Sequence, residues 1–177
     1  TAGANQTVAE DAAAQTVTGW ATNLSAGPNE SQTLSFSVSN NANALFSSQP
    51  AVSSAGALTY TPAANANGVA TVMVAIQDSG GTANGGVNTS ASQMFTITIR
   101  EVNDPPTTTV DTLGPINEDS GTFSILFSQL TGNDSRGPAN ESGQTLTVTG
   151  VTAPATNAIA MIFLSLVFIF RSAPLVL

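Results

Sequence analysis

The chain is written partly twice. Glu10-Asp11 returns as Glu118-Asp119. The stretch Gly27-Pro28-Asn29-Glu30-Ser31-Gln32-Thr33-Leu34 returns as Gly137-Pro138-Ala139-Asn140-Glu141-Ser142-Gly143-Gln144-Thr145-Leu146, and the step from Glu10 to Glu118 is nearly the same as those from Gly27 to Gly137 and from Gln32 to Gln144. Between the copies lies Glu101-Val102-Asn103-Asp104-Pro105-Pro106. A period of about 110 residues is too long for a solenoid unit and matches one β-sandwich domain. In 177 residues it leaves room for one full copy and part of a second.

Residues 1–150 support a sandwich by their alternation. Leu34, Phe36 and Val38 are interleaved with Ser35, Ser37 and Ser39; Leu58 and Tyr60 with Thr59 and Thr61; Phe95, Ile97 and Ile99 with Thr96 and Thr98. Val72, Val74 and Ile76 share one face of a further run. A period of two with hydroxyls on the second face describes antiparallel strands that are buried on one side and wet on the other. Thr7-Val8, Thr16 to Trp20 and Leu45-Phe46 are weaker strand candidates. Gly27-Pro28, Asn40-Asn41, Asn65 to Gly68, Asp78 to Gly81 and Asn84 to Gly86 supply turns, since Gly and Asn tolerate positive φ. The sum is seven short strands in about 100 residues, the number expected of an Ig-like sandwich. Trp20, the only Trp, is expected to fill the core near one end of a sheet.

Composition narrows the chemistry. Three basic residues (Arg100, Arg136, Arg171) stand against 11 acidic ones, for a net charge of −8, and there is no Lys. Without a basic patch there is nothing to neutralise phosphates, so no nucleic-acid partner is expected. The acidity suits either solubility or a wait for cations. No Cys or His is present, which removes disulfides, thiol chemistry, zinc sites and imidazole acid–base catalysis. A hydrophobic share of 41% is enough for a core. The chain begins at Thr1 without a Met or a signal sequence and reads as a piece of something longer.

The first domain is expected to span 1–104, because Pro105-Pro106 cannot donate backbone hydrogen bonds and Asp104, before Pro, is steered away from helix. A Pro-rich linker takes 105–115. A partial second repeat covers 116–157, with a strand at Phe123, Ile125 and Phe127 and another at Leu146 and Val148. Residues 158–177 form an anomalous hydrophobic tail: Ala158 to Phe170 is almost continuously apolar, then Arg171 interrupts. A membrane span wants about twenty apolar residues. Three readings of the tail stay open: a truncated or non-native end, a membrane-associated segment, or a buried strand or helix of an incomplete domain.

Four motifs, in order, resemble those of cadherin-like repeats. Val8-Ala9-Glu10-Asp11 is similar to the V-P-E-N opening, Ala21 to Asn29 to the A-T-D-x-D-x-G-x-N loop, Ala75-Ile76-Gln77-Asp78-Ser79-Gly80 to A-x-D-x-G, and Ile97 to Pro106 to the exit that ends D-V-N-D-N-x-P. The Ser/Thr/Asn-rich texture and the lack of Cys are nearest to the bacterial cadherin-like and Ig-like tandem repeats of large surface adhesins. The resemblance covers residues 5–150. It implies an all-β, Ig-like (cadherin-like) Greek-key β-sandwich, one complete repeat plus a truncated second repeat.

That resemblance also implies calcium at the seam between repeats, where an ion that takes 6–8 oxygen ligands draws on two domain ends and a linker. Carried over position by position, the ligands are Glu10, Glu101, Asn103 and Asp104 with Asn133, Asp134, Ser135 and Asn140. Two positions depart from the family pattern. The acidic pair of the L-D-R-E motif has no counterpart, since Thr61 to Gly68 holds no carboxylate, and the D-x-D pair reads Asn133-Asp134-Ser135. Asp78 by the same resemblance serves a preceding seam; the residues alone read equally as a turn cap. Asn103-Asp104 has a plainer reading too, as a strand terminator through local side-chain hydrogen bonds.

Function follows as expectation. The chain is read as a non-catalytic extracellular or cell-surface module for spacing and adhesion. Its partners are neighbouring repeats of the same chain, with other surface proteins or glycans beyond them, and membrane association comes only through the tail. The carboxylates Glu10-Asp11, Glu118-Asp119, Glu30 and Glu141 are the only acid–base candidates, and a glycosidase-type pair rarely recurs once per spacer domain. The alternative is a carbohydrate- or ligand-binding accessory module of a secreted protein, though aromatics are only 6% and sit mostly at strand-core positions. Six N-x-S/T sequons, at Asn5, Asn23, Asn29, Asn88, Asn133 and Asn140, would mark surface loops in a secreted eukaryotic chain.

Overall fold

The computed structural model describes residues 1–109, 128 and 131–147. It divides into two compact units, residues 1–102 and 103–177. The strand at Phe123–Phe127, Glu118-Asp119, Val148 and the hydrophobic tail all lie outside the described residues. Among the described residues, no helix is long and apolar enough to cross a membrane.

The first unit is all-β. Its strands are β1 (Gln6–Ala9), β2 (Gln15–Val17), β3 (Leu34–Asn40), β4 (Phe46–Val52), β5 (Leu58–Pro62), β6 (Gly68–Asp78) and β7 (Gln93–Arg100). They form two sheets, one in the order β1-β7-β6-β3 and the other β2-β5-β4. All pairings are antiparallel except β1 with β7, which run parallel from Gln6 opposite Ile97 to Ala9 opposite Arg100.

The alternation decides which face is buried. In β7, Phe95, Ile97 and Ile99 point in, and in β6 Ala70, Val72 and Val74 do the same. Leu58 and Tyr60 of β5 and Phe46 of β4 meet them from the second sheet, so both sheets share one core. Each fully buried aliphatic side chain here contributes about 1.5–3 kcal/mol. Ser35, Ser37 and Ser39 hold the outer face of β3. Burial raises the Tyr60 phenol above its ordinary pKa by desolvating the charged form.

Trp20 closes one end of this core. It is 5% exposed, its ring lies 4.4 Å from that of Phe95, and its indole N–H donates to the Ala4 carbonyl at 3.0 Å. It does not belong to β2, which ends at Val17; a turn at Thr18–Gly19 intervenes. The weak signal at Leu45-Phe46 opens a strand of seven residues. β4 carries Pro50 and two register shifts against β5, irregularities that an edge strand accommodates and that blur its sequence pattern.

The second unit, where described, is mostly loop and turn, with Ser128 and Thr131 helical. Thr107 and Ser135 form an isolated antiparallel bridge, and Ala139–Gly143 makes a 3₁₀ turn.

Candidate functional site

The repeated loop keeps its shape in both units. In the first, the Gly27 N–H donates to Ser25 Oγ at 3.2 Å while the Ser25 hydroxyl donates to the Gly27 carbonyl at 3.3 Å. In the second, Gly137 and Ser135 make the same reciprocal pair at 3.2 and 2.8 Å. Both glycines hold φ in a region that L side chains rarely adopt, +145° and +127°. The repeat is therefore one of backbone conformation as well as of letters.

The carboxylate that follows this loop differs between the copies. Glu30 is exposed. Its counterpart Glu141 has no exposed surface and accepts the Asp104 N–H through Oε1 at 3.1 Å. Next to it, the Gln144 side-chain amide donates to Asn103 Oδ1 at 2.9 Å. The Pro-flanked segment at the start of the second unit is thus held by the second copy of the Gly27 loop.

Asp134 holds the following stretch. Its Oδ1 accepts the Thr109 N–H at 2.9 Å, and the Asn133 carbonyl accepts the Thr109 hydroxyl at 3.3 Å. Asp104 Oδ2, Asp134 Oδ2, Glu141 Oε2 and Gln144 Oε1 are buried without a hydrogen-bond partner among the described residues. Buried oxygens of this kind carry an uncompensated desolvation cost. They are hard donors of the type calcium prefers. Among the described residues, no three acidic side chains are arranged as a ready-made metal cage, so the donors fit in kind but do not enclose an ion by themselves.

The other residues expected at the seam have separate duties. Glu10 belongs to the first unit and is 2% exposed. Its Oε1 accepts the Val102 N–H and its own N–H donates to the Arg100 carbonyl, each at 2.8 Å. Glu101 is exposed in that unit. Asn103, Asp104, Asn133, Asp134, Ser135 and Asn140 lie in the second. Asn103 also donates to the Asp104 carbonyl at 3.3 Å, a local bond of the strand-terminating kind. Asp78 caps its turn, with Oδ1 accepting the Gly80 N–H at 2.7 Å. Asp11, at φ +59°, accepts the Asn65 N–H at 2.8 Å.

Glu141 and Gln144 were not among the residues expected to form the seam. The only signal for them was their place in the repeat, where they match Glu30 and Gln32. Near Trp20 there is also a cavity of about 120 Å³, lined by Leu24, Phe36, Val74 and Gln93 among others. It is smaller than the roughly 300–1,000 Å³ of ordinary small-molecule sites.

No protein-family model, curated protein or solved structure matches the chain.

Proposed function

We propose that this chain is a non-catalytic module of an extracellular or cell-surface protein: tandem Ig-like, cadherin-like Greek-key sandwiches used for spacing and adhesion. The observation that carries this reading is the duplicated Ser-x-Gly loop, with its reciprocal hydrogen bonds at Ser25/Gly27 and Ser135/Gly137. A second copy that repeats backbone geometry one domain length further on is what a string of like domains requires. The carboxylates also favour a structural role. Glu10 and Asp11 accept backbone N–H groups and do not face one another across a cleft. The alternative, a carbohydrate- or ligand-binding accessory module, has in its favour the small cavity beside Trp20 and an open cavity of about 440 Å³ in the second unit, lined by Asp134, Arg136 and Ser142 among others.

Calcium at the carboxylates of the second unit is part of the proposal. Asp104, Asp134 and Glu141 supply oxygens, with Asn103, Asn133 and Asn140 beside them in sequence, and the ion would relieve the buried carboxylates. Two experiments test the reading. Further Glu-Asp…Val-Asn-Asp-x-Pro units recurring at the same interval in the parent gene support a rod, whereas an adjoining catalytic domain favours the accessory module. Titration of the full chain with Ca²⁺, followed by thermal melting, should raise the melting temperature in the millimolar range. With a Kd of about 1 mM and 10 mM ion, the gain is about 1.4 kcal/mol. An unchanged melting temperature removes calcium from the account.

A further inference from the structure

Among the described residues, β3 is the one edge of the two sheets with no protection. The other edges are blunted: β1 has four residues, β2 has three, and β4 carries Pro50 with two register shifts. β3 runs seven regular residues, Leu34–Asn40, without proline or charge. No Asp, Glu, Lys or Arg occurs anywhere from 31 to 77. Natural sheets usually guard such an edge with charge, proline or a bulge, so its absence here points to use.

The pairing of the neighbouring strands shows which backbone groups the edge offers. The Asp78 N–H donates to the Asn88 carbonyl and the Ser90 N–H to the Ile76 carbonyl, so even-numbered residues of β6 turn toward the β7 side. Odd-numbered residues therefore turn toward β3, in keeping with the Asn41 N–H to Thr71 carbonyl bond. In the antiparallel register, Ser35, Ser37 and Ser39 stand opposite Gln77, Ala75 and Met73. This leaves the N–H and C=O groups of Leu34, Phe36, Val38 and Asn40 pointing away from the sheet. Among the described residues no strand pairs with that side.

We propose that this edge is an interaction surface for β3 of a second copy of the chain, joined antiparallel about a two-fold axis at Ser37. The strand is self-complementary in that register. Leu34 faces Asn40 of the partner subunit, and Phe36 faces Val38 of the partner subunit, each as a hydrogen-bonded pair. The two Phe36/Val38 pairs continue the apolar inner face. Serine meets serine on the outer face, and no like charges are opposed, although the whole chain carries −8. One shared strand edge falls below the roughly 1,000 Å² of a stable interface, so the association is weak and concentration-dependent. It would join modules side by side and does not depend on the seam or on calcium.

Ser37 is exposed and meets its own symmetry mate, so it can be charged without disturbing the fold. Sedimentation of the full chain between about 10 μM and 1 mM should show reversible dimers for the wild type and monomers for Ser37→Lys and for Ser37→Glu. An equimolar mixture of the two variants should dimerise again, because opposite charges then face each other across the axis. Hydrogen exchange on concentrating the wild type should slow the amides of Phe36 and Val38 and leave those of Ser35 and Ser37 unchanged. A wild type that stays monomeric overturns the proposal, and so does a partner strand from another protein being needed before these amides slow. Association of Ser37→Lys equal to the wild type, or a mixture that remains monomeric, also overturns it.

Discussion

The Glu10 carboxylate accepts the backbone N–H of Val102 at 2.8 Å, across 92 residues of sequence. The Glu10 N–H also bonds to the Arg100 carbonyl, so one residue fastens the end of β1 to the chain leaving β7. Because these two strands run parallel, no hairpin holds them together, and the pairing rests on four register positions, this clasp, and the bonds from the Thr96 N–H to Asn5 Oδ1 and from the Ala2 N–H to Gln93 Oε1. Replacing Glu10 by Ala is expected to cost about 1–3 kcal/mol by removing a buried carboxylate and the hydrogen bond it accepts. Glu10→Gln, which keeps one carbonyl acceptor, should cost less. Urea unfolding of both variants measures the difference.

Trp20 should serve as stopper and reporter. Its emission is expected to be blue-shifted in the native protein and to move to the red on unfolding, since it is the chain's only Trp and is 5% exposed. Trp20→Ala removes the ring that stacks near Phe95 and should cost about 3–5 kcal/mol. Trp20→Phe keeps part of the packing but abandons the Ala4 carbonyl, and should fall between Trp20→Ala and the wild type. Thermal melting by circular dichroism distinguishes the three.

How much of this was legible in the sequence depended on regularity. β3, β5 and β7 could be read directly because Ser or Thr alternates with an apolar residue, and β6 because Val72, Val74 and Ile76 recur with a period of two; that alternation has one physical meaning in a half-buried strand. β4 could not, because Phe46-Ser47-Ser48-Gln49-Pro50-Ala51-Val52 breaks the period twice and holds a proline. The parallel pairing of β1 with β7 leaves no local mark, since its partners lie at opposite ends of the unit. At the seam, the repeat pointed to Glu10, but its engagement with Val102 depends on where β7 ends. Glu141 reads as an ordinary polar loop residue, and nothing local marks its burial or the bond it accepts from the Asp104 N–H, 37 residues away.

Tyr60 supplies the pH dependence. Burial raises its folded pKa above the ordinary value of 10.0, so the folded state holds the phenol proton more tightly than the unfolded chain does. The stability this contributes is full below pH 10 and is lost as pH rises through the folded pKa. Melting temperature should therefore decline on the alkaline side of about pH 10. Tyr60→Phe should flatten that limb, because the phenylalanine ring keeps the edge contact with Phe46 but has no proton to lose. An unaltered alkaline limb in the variant would assign the decline to other groups.

The paired glycines allow the duplication to be tested as physics. An added Cβ at Gly27 would lie 3.1 Å from Glu30 Oε2, and one at Gly137 would lie 3.1 Å from Glu141 Cγ. Both backbones sit at a φ that is costly for any L side chain, of order 1–3 kcal/mol. Gly27→Ala and Gly137→Ala should therefore each destabilise their own unit. The steric term separates them: Glu30 is exposed and can swing aside, whereas Glu141 is fully buried and engaged with Asp104. Gly137→Ala should consequently also accelerate exchange of the Asp104 amide and weaken any melting response to Ca²⁺, while Gly27→Ala leaves both unchanged. Amide exchange measured with and without the ion reads the two effects on one sample, and equal behaviour of the two variants would show that Glu141 does no more for its copy than Glu30 does for the first.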